Sequence, residues 1–112
     1  MILGSYAELM VIDARHLVAV PDGVSDEHAG GATLRGLTAH YLINSTYAVQ
    51  PDDTILVHAA AGGMGLLLCQ WAKHIRATVI GTVGSDAKAE LAQAHGCDHP
   101  IVYTREDFVP RV

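Results

Sequence analysis

The chain has 112 residues, half of them apolar and 17% charged, with a formal net charge of −5. That length holds one domain or part of one, and the apolar share argues for a packed core against disorder. The acidic balance argues against a nucleic-acid partner, which would favour a basic stripe, and no apolar run is long enough to span a membrane. Cys69 and Cys97 have no CxxC partners, so neither a disulfide framework nor a Cys-rich zinc site is expected. Met1-Ile2-Leu3-Gly4 lacks the basic flank and long apolar stretch of a secretory signal, which points to a reduced, cytoplasmic setting.

Tyr6–Ile12 is apolar and free of breakers and reads as a strand. Asp13-Ala14-Arg15 is a turn, and His16–Val20 a second short strand stopped by Pro21-Asp22-Gly23, where Pro presets φ and Gly accepts a positive one. Ser25 is placed to cap a helix, with Asp26 and Glu27 complementing its dipole. The helical pattern runs to about Asn44. Gly30, Gly31 and Gly36 weaken it, so two short helices broken near Gly36 are expected, the second buried through Leu37, Tyr41 and Leu42. Gln50-Pro51-Asp52-Asp53 is a loop.

From there the pattern alternates: strand Thr54–His58, helix Gly65–Ile75, strand Thr78–Val83, helix Ser85–His95 stopped by Gly96, strand Pro100–Tyr103. Short connections between such elements predict an α/β fold, a βαβαβ parallel sheet with right-handed crossovers. Strands without charge fit burial on both faces. Three strands make half of a doubly wound sheet, and the two opening strands have no visible partners. The chain therefore reads as an internal fragment, or as one copy of a homo-oligomer that pairs through exposed sheet edges.

The first strand-to-helix turn is Ala60-Ala61-Gly62-Gly63-Met64-Gly65, a GxGxxG phosphate-binding pattern with Ala in first place. Ala60 makes the tight turn, Gly62 lets backbone approach a pyrophosphate, and Gly65 lets helix and strand pack closely. The helix start would offer free N–H groups and a partial positive charge. The strand before it and the βαβ context beyond it favour a dinucleotide over a ligand-free glycine turn.

An NAD site usually carries an acidic residue about 20 positions further on, at the end of the second strand. Val83 and Gly84 stand there instead. Lys88 follows on the next helix, and Ser85 and the helix start add donors, so the combination predicts a 2′-phosphate and hence NADPH. Asp86 runs against this reading, because a slightly different strand end would bring its carboxylate to the ribose.

Val57–Gly65 with Cys69-Gln70-Trp71-Ala72-Lys73 resembles the zinc-free, zeta-crystallin-like quinone oxidoreductases of the medium-chain dehydrogenase/reductases. Gly4–Glu8, Pro21–Ser25, Gly36–Ala39 and Gly81–Gly84 with Lys88 extend the resemblance along the whole chain. It implies a Rossmann cofactor domain joined to a GroES-like catalytic domain, with residues 1–24 ending the latter and 25–112 forming the first half of the former. It implies hydride transfer from NADPH to a small-molecule quinone or activated alkene. It also implies that Gly84, Lys88 and Tyr103 surround the 2′-phosphate and that Thr38 lies near the nicotinamide. From its residue type alone, Thr38 reads as a mid-helix threonine bonding its own backbone. Met64 replaces the family's usual Val. Two other readings stand beside this one: a catalytically incomplete nucleotide-binding module, and an enoyl reductase segment of a larger synthase.

Among the histidines, His95-x-Cys97-x-His99 is the densest cluster, but it falls on a helix-to-strand loop and is short of ligands for a metal. His58, ending a strand expected to be buried, reads as a positioning residue, and Cys69 as core. Asp52-Asp53 and Asp26-Glu27 read as turn and cap carboxylates. No Ser-His-Asp pattern or general acid stands out, which suits a reaction whose chemistry belongs to the cofactor.

Overall fold

The computed structural model describes residues 6–112; Gly4 and Ser5 of the first resemblance block lie outside the described residues. By spatial contact the chain divides into residues 1–30 and 31–112.

In the first unit the expected strands Tyr6–Ile12 and His16–Val20 do not form. A strand needs a neighbour to take its alternate N–H and C=O groups, and the described part of this unit offers none. Tyr6, Leu9, Val11 and Val18 are exposed. A single 3-10 turn, Ala14–His16, takes their place, capped by the Asp13 carboxylate, which accepts the Arg15 N–H at 3.0 Å. The expected turn at Pro21–Gly23 is present: Val24 N–H bonds the Pro21 carbonyl at 3.2 Å and Gly23 has φ +85°. Ser25 caps as expected, its Oγ accepting the His28 N–H at 3.3 Å.

Helix α1 (Asp26–Tyr41) is continuous, which corrects the expected break at Gly36. Three glycines lower helix propensity by about 1 kcal/mol each, but glycine still accepts helical dihedrals. Irregularity comes later, where the helix widens into a π turn over Leu42–Thr46. The expected apolar stripe is also corrected. Leu37 and Tyr41 are exposed and Leu42 half-buried, while Ala39 and Ile43, four apart on another face, are buried.

The remainder follows the expected alternation: β1 (Thr54–Val57), α2 (Gly63–Ile75), β2 (Thr78–Val83), α3 (Asp86–Ala94) and β3 (His99–Val102). The strands are parallel in the order β1-β2-β3, with Val57 opposite Gly81 and Val83 opposite Val102. Helix α2 packs on β1 and β2, and α3 on β2 and β3. The core draws Val57, Val79, Val83 and Val102 from the strands and Cys69, Ala72 and Ala92 from the helices. The intervening Ile80, Thr82 and Ile101 are buried as well. β1 departs from the expected two-sided burial: Thr54 and Leu56, which alternate onto the same face of the strand, are exposed, so that face is left largely uncovered by the described residues.

Small residues let the layers close. A Cβ at Gly81 would stand 2.5 Å from Cys97 Sγ and 2.6 Å from the Ala60 methyl. Cys69 and Cys97 are free and buried, as core thiols, and burial pushes the Cys69 thiol up to about 12. Asp98 ties α2 to β2, pairing with Lys73 and accepting the Val79 N–H at 2.9 Å. Burial works to raise its pKa, but these two partners outweigh it and hold the carboxyl below its ordinary value.

Candidate functional site

The turn after β1 is built around a backbone conformation that an L-residue adopts at a cost. Ala59 has φ +51°, and its carbonyl accepts the Gly62 N–H at 2.8 Å. The tight left-handed step therefore falls at Ala59, one residue before the expected Ala60. Ala60 itself is wholly buried, its methyl directed at Gly81, and its N–H bonds the Thr82 carbonyl at 3.1 Å. This anchors the turn on the central strand. His58 is exposed rather than buried; its Nδ1 shares a 3.0 Å hydrogen bond with Thr82 Oγ1, and its ring meets Phe108 edge-on at 5.3 Å.

Helix α2 begins at Gly63, with Gly62 as an N-cap that contributes no side-chain hydrogen bond. The first intrahelical bond runs from Leu66 N–H to the Gly62 carbonyl at 2.8 Å. The N–H groups of Gly63, Met64 and Gly65 thus have no intrahelical acceptor and lie at the positive end of the helix dipole. Gly65 is demanded by packing: a Cβ there would fall 2.4 Å from the Ala59 carbonyl oxygen and 2.7 Å from Ala60 backbone atoms. Over Gly63 lies the Arg35 side chain, with Nη1 2.6 Å from where a Cβ would be.

The end of β2 supplies the second half of the site. Tyr103 N–H bonds the Val83 carbonyl at 3.1 Å, and Thr104 Oγ1 donates to the Gly84 carbonyl at 3.3 Å. A Cβ at Gly84 would lie 3.0 Å from the Tyr103 hydroxyl oxygen, so glycine leaves room for the phenol. Ser85 caps α3, its Oγ accepting the Lys88 N–H at 3.4 Å. Asp86 is held by Arg105 through two bonds of 2.7 and 3.1 Å.

Ala59, Ala61, Gly62, Val83, Lys88 and Tyr103 line one open cleft of about 100 Å³. That is below the size of a whole-ligand pocket and suits one end of a long ligand. The cleft joins Gly62, Lys88 and Tyr103 from three separate segments, with Gly84 and Ser85 beside them. Gly63 and Met64 lie on the first turn of α2, Met64 half-buried. Thr38 is not among the lining residues, and its hydroxyl donates to the Leu34 carbonyl at 2.8 Å. Ala59, Arg35 and Arg105 were not singled out from the sequence. A positive φ at alanine leaves no sequence signal, and the two arginines reach their places through tertiary contacts.

The His95–His99 cluster disperses. His95 Nδ1 donates to the Leu91 carbonyl at 2.8 Å, Cys97 is buried against Val79, and His99 is exposed. Among the described residues no group of three His, Cys, Asp or Glu side chains is placed to hold a metal, and no helix is long and apolar enough to cross a membrane.

Known proteins resemble the chain in sequence and in fold. Residues 63–112 match the family described as zinc-binding dehydrogenase. A quinone oxidoreductase of Pseudomonas aeruginosa is 48% identical over 110 residues, 98% of this chain and 34% of that protein. The chain is thus homologous, over nearly its whole length, to quinone oxidoreductases of the medium-chain dehydrogenase/reductase superfamily. A 2-haloacrylate reductase of a Burkholderia species is 46% identical over 95% of the chain and 32% of its own length. The crystal structure of Escherichia coli quinone oxidoreductase complexed with NADPH superposes with a TM-score of 0.81 and 47% identity, covering 84% of this chain and 29% of that one. The chain spans about a third of the length of the curated relatives it matches.

Proposed function

We propose that the chain holds the phosphates of NADPH across the C-terminal ends of β1 and β2, as part of an oxidoreductase that reduces a quinone or an activated alkene. The observation that carries this reading is the cleft that brings Gly62, Lys88 and Tyr103 together with no carboxylate in its lining. The N–H groups of Gly63, Met64 and Gly65 would bind the pyrophosphate, a task that glycine-lined helix starts perform through dipole and hydrogen bonds alike. Lys88, the Ser85 hydroxyl and the Tyr103 hydroxyl would hold the 2′-phosphate, with Gly84 leaving space for the phenol. Ala60 would act from below, by seating the turn on β2. Thr38 would lie toward the nicotinamide, as the family resemblance implies. NADPH, when bound, supplies hydride, and the protein's share is to bind and orient it.

The relatives' names support the substrate class. One is a quinone oxidoreductase and another reduces 2-haloacrylate, an activated alkene. In this reading residues 1–24 end a catalytic domain and 25–112 begin the cofactor domain, and copies of the chain pair through the sheet edges.

The test is a titration of the purified chain with NADPH and with NADH, followed by addition of a quinone. NADPH is expected to bind more tightly, and Lys88→Ala to cut its affinity about tenfold while leaving NADH unchanged, because one cation is lost beside a doubly charged phosphate. Equal affinity for the two coenzymes in the parent chain, or no loss in Lys88→Ala, would refute the 2′-phosphate assignment. Steady quinone-dependent oxidation of NADPH supports an enzyme, and binding without turnover a nucleotide-binding module.

A further inference from the structure

The Asp86–Arg105 pair has no evident structural purpose. Both side chains are largely exposed, at 68% and 62%, and ion pairs this open add little to stability. Their position is more informative. Asp86 stands two residues before Lys88 and Arg105 two residues after Tyr103, and both Lys88 and Tyr103 line the cleft. Thr104, between Tyr103 and Arg105, is fixed to the Gly84 carbonyl at 3.3 Å. The pair therefore closes the same seam that would receive the 2′-phosphate.

We infer that Arg105 is a coenzyme-specificity residue, acting by neutralising Asp86; the inference rests on the NADPH reading above. An unpaired carboxylate just past the second strand is the group that selects NADH, by accepting hydrogen bonds from the ribose hydroxyls and repelling a 2′-phosphate. Here both carboxylate oxygens are engaged by the guanidinium fork at 2.7 and 3.1 Å, which satisfies the acceptors and cancels the charge. The seam of Asp86, Lys88 and Arg105 then carries one net positive charge, from Lys88. Removing Arg105 would bring that sum to zero and release an acceptor at the ribose. Removing Asp86 would raise it to two positive charges, and removing both would restore one.

That arithmetic sets an order that can be measured by titrating each folded variant with NADPH and NADH at low salt. Arg105→Ala is expected to lower the preference for NADPH about tenfold, with NADH binding held or improved. Arg105→Gln, shorter than arginine but still carrying amide N–H donors without the charge, is expected to do the same. Asp86→Ala should raise the preference, and the double variant Asp86→Ala/Arg105→Ala should return it to within about threefold of the parent. All differences should shrink as salt is added. A parent chain without NADPH preference would overturn the NADPH reading and this inference together. A parent that prefers NADPH, with Arg105→Ala and Arg105→Gln unchanged, would overturn the inference alone. So would a double variant as impaired as Arg105→Ala, because Arg105 would then be touching the phosphate directly instead of masking Asp86.

Discussion

The two helix starts that face the cleft are built in opposite ways. Helix α2 opens on Gly62, a cap with no side-chain bond, and its first three N–H groups have no intrahelical acceptor. Helix α3 opens on Ser85, whose hydroxyl takes the Lys88 N–H, and charged side chains stand around it. A start that offers uncapped backbone N–H groups, with the Arg35 guanidinium over Gly63, binds any phosphate and suits the pyrophosphate that NADPH and NADH share. A start dressed in side chains can tell one nucleotide from another. The difference teaches where mutation should change affinity and where it should change preference.

The largest effect is expected at the α2 start. Gly65→Ala places a Cβ 2.4 Å from the Ala59 carbonyl, a backbone atom that cannot rotate away. The helix must move off the strand, at about 3 kcal/mol, the upper part of the overpacking range. Thermal denaturation should show a large fall in Tm, and both coenzymes should lose affinity together. A Gly65→Ala chain of unchanged Tm would mean that the turn is looser than its geometry indicates. Arg35→Ala should act at the same start without that distortion. Its side chain lies over Gly63, where a guanidinium would meet the pyrophosphate. About a threefold to fivefold loss is expected for NADPH and NADH equally, consistent with an exposed cation. A loss confined to NADPH would move Arg35 to the α3 side of the comparison.

The sequence made the α2 and α3 starts legible to different depths. The βαβαβ order, the glycine turn and the Ser85 cap were readable because each rests on local chemistry: strand patterning, absence of Cβ, a hydroxyl before a helix. The opening residues misread because an apolar run such as Tyr6–Ile12 satisfies strand patterning whether or not a neighbouring strand exists. Helix α1 is less legible, because three glycines lower the local helix propensity while the buried face, Ala39 and Ile43, is hidden among apolar neighbours. Tyr103 came into view only through the family resemblance. The Asp86–Arg105 pair joins residues 19 positions apart, and nothing local to either announces it.

Ser85 gives the smallest effect and the sharpest division between capping and binding. Its Oγ accepts the Lys88 N–H at 3.4 Å, a long bond, so Ser85→Ala should cost about 0.5 kcal/mol, the low end for an N-cap. Accepting that N–H leaves the hydroxyl's own proton free to donate to a 2′-phosphate. Ser85→Gly separates the two roles, because glycine caps nearly as well and costs only a few tenths of a kcal/mol. If the hydroxyl serves only as a cap, Ser85→Gly keeps the parent's NADPH affinity. If it also holds the phosphate, NADPH binding falls about twofold to threefold in both variants while NADH binding and the Ser85→Gly Tm stay near the parent values. The second outcome is expected, since the hydroxyl stands beside the cleft-lining Lys88 on a helix start whose dipole already favours an anion.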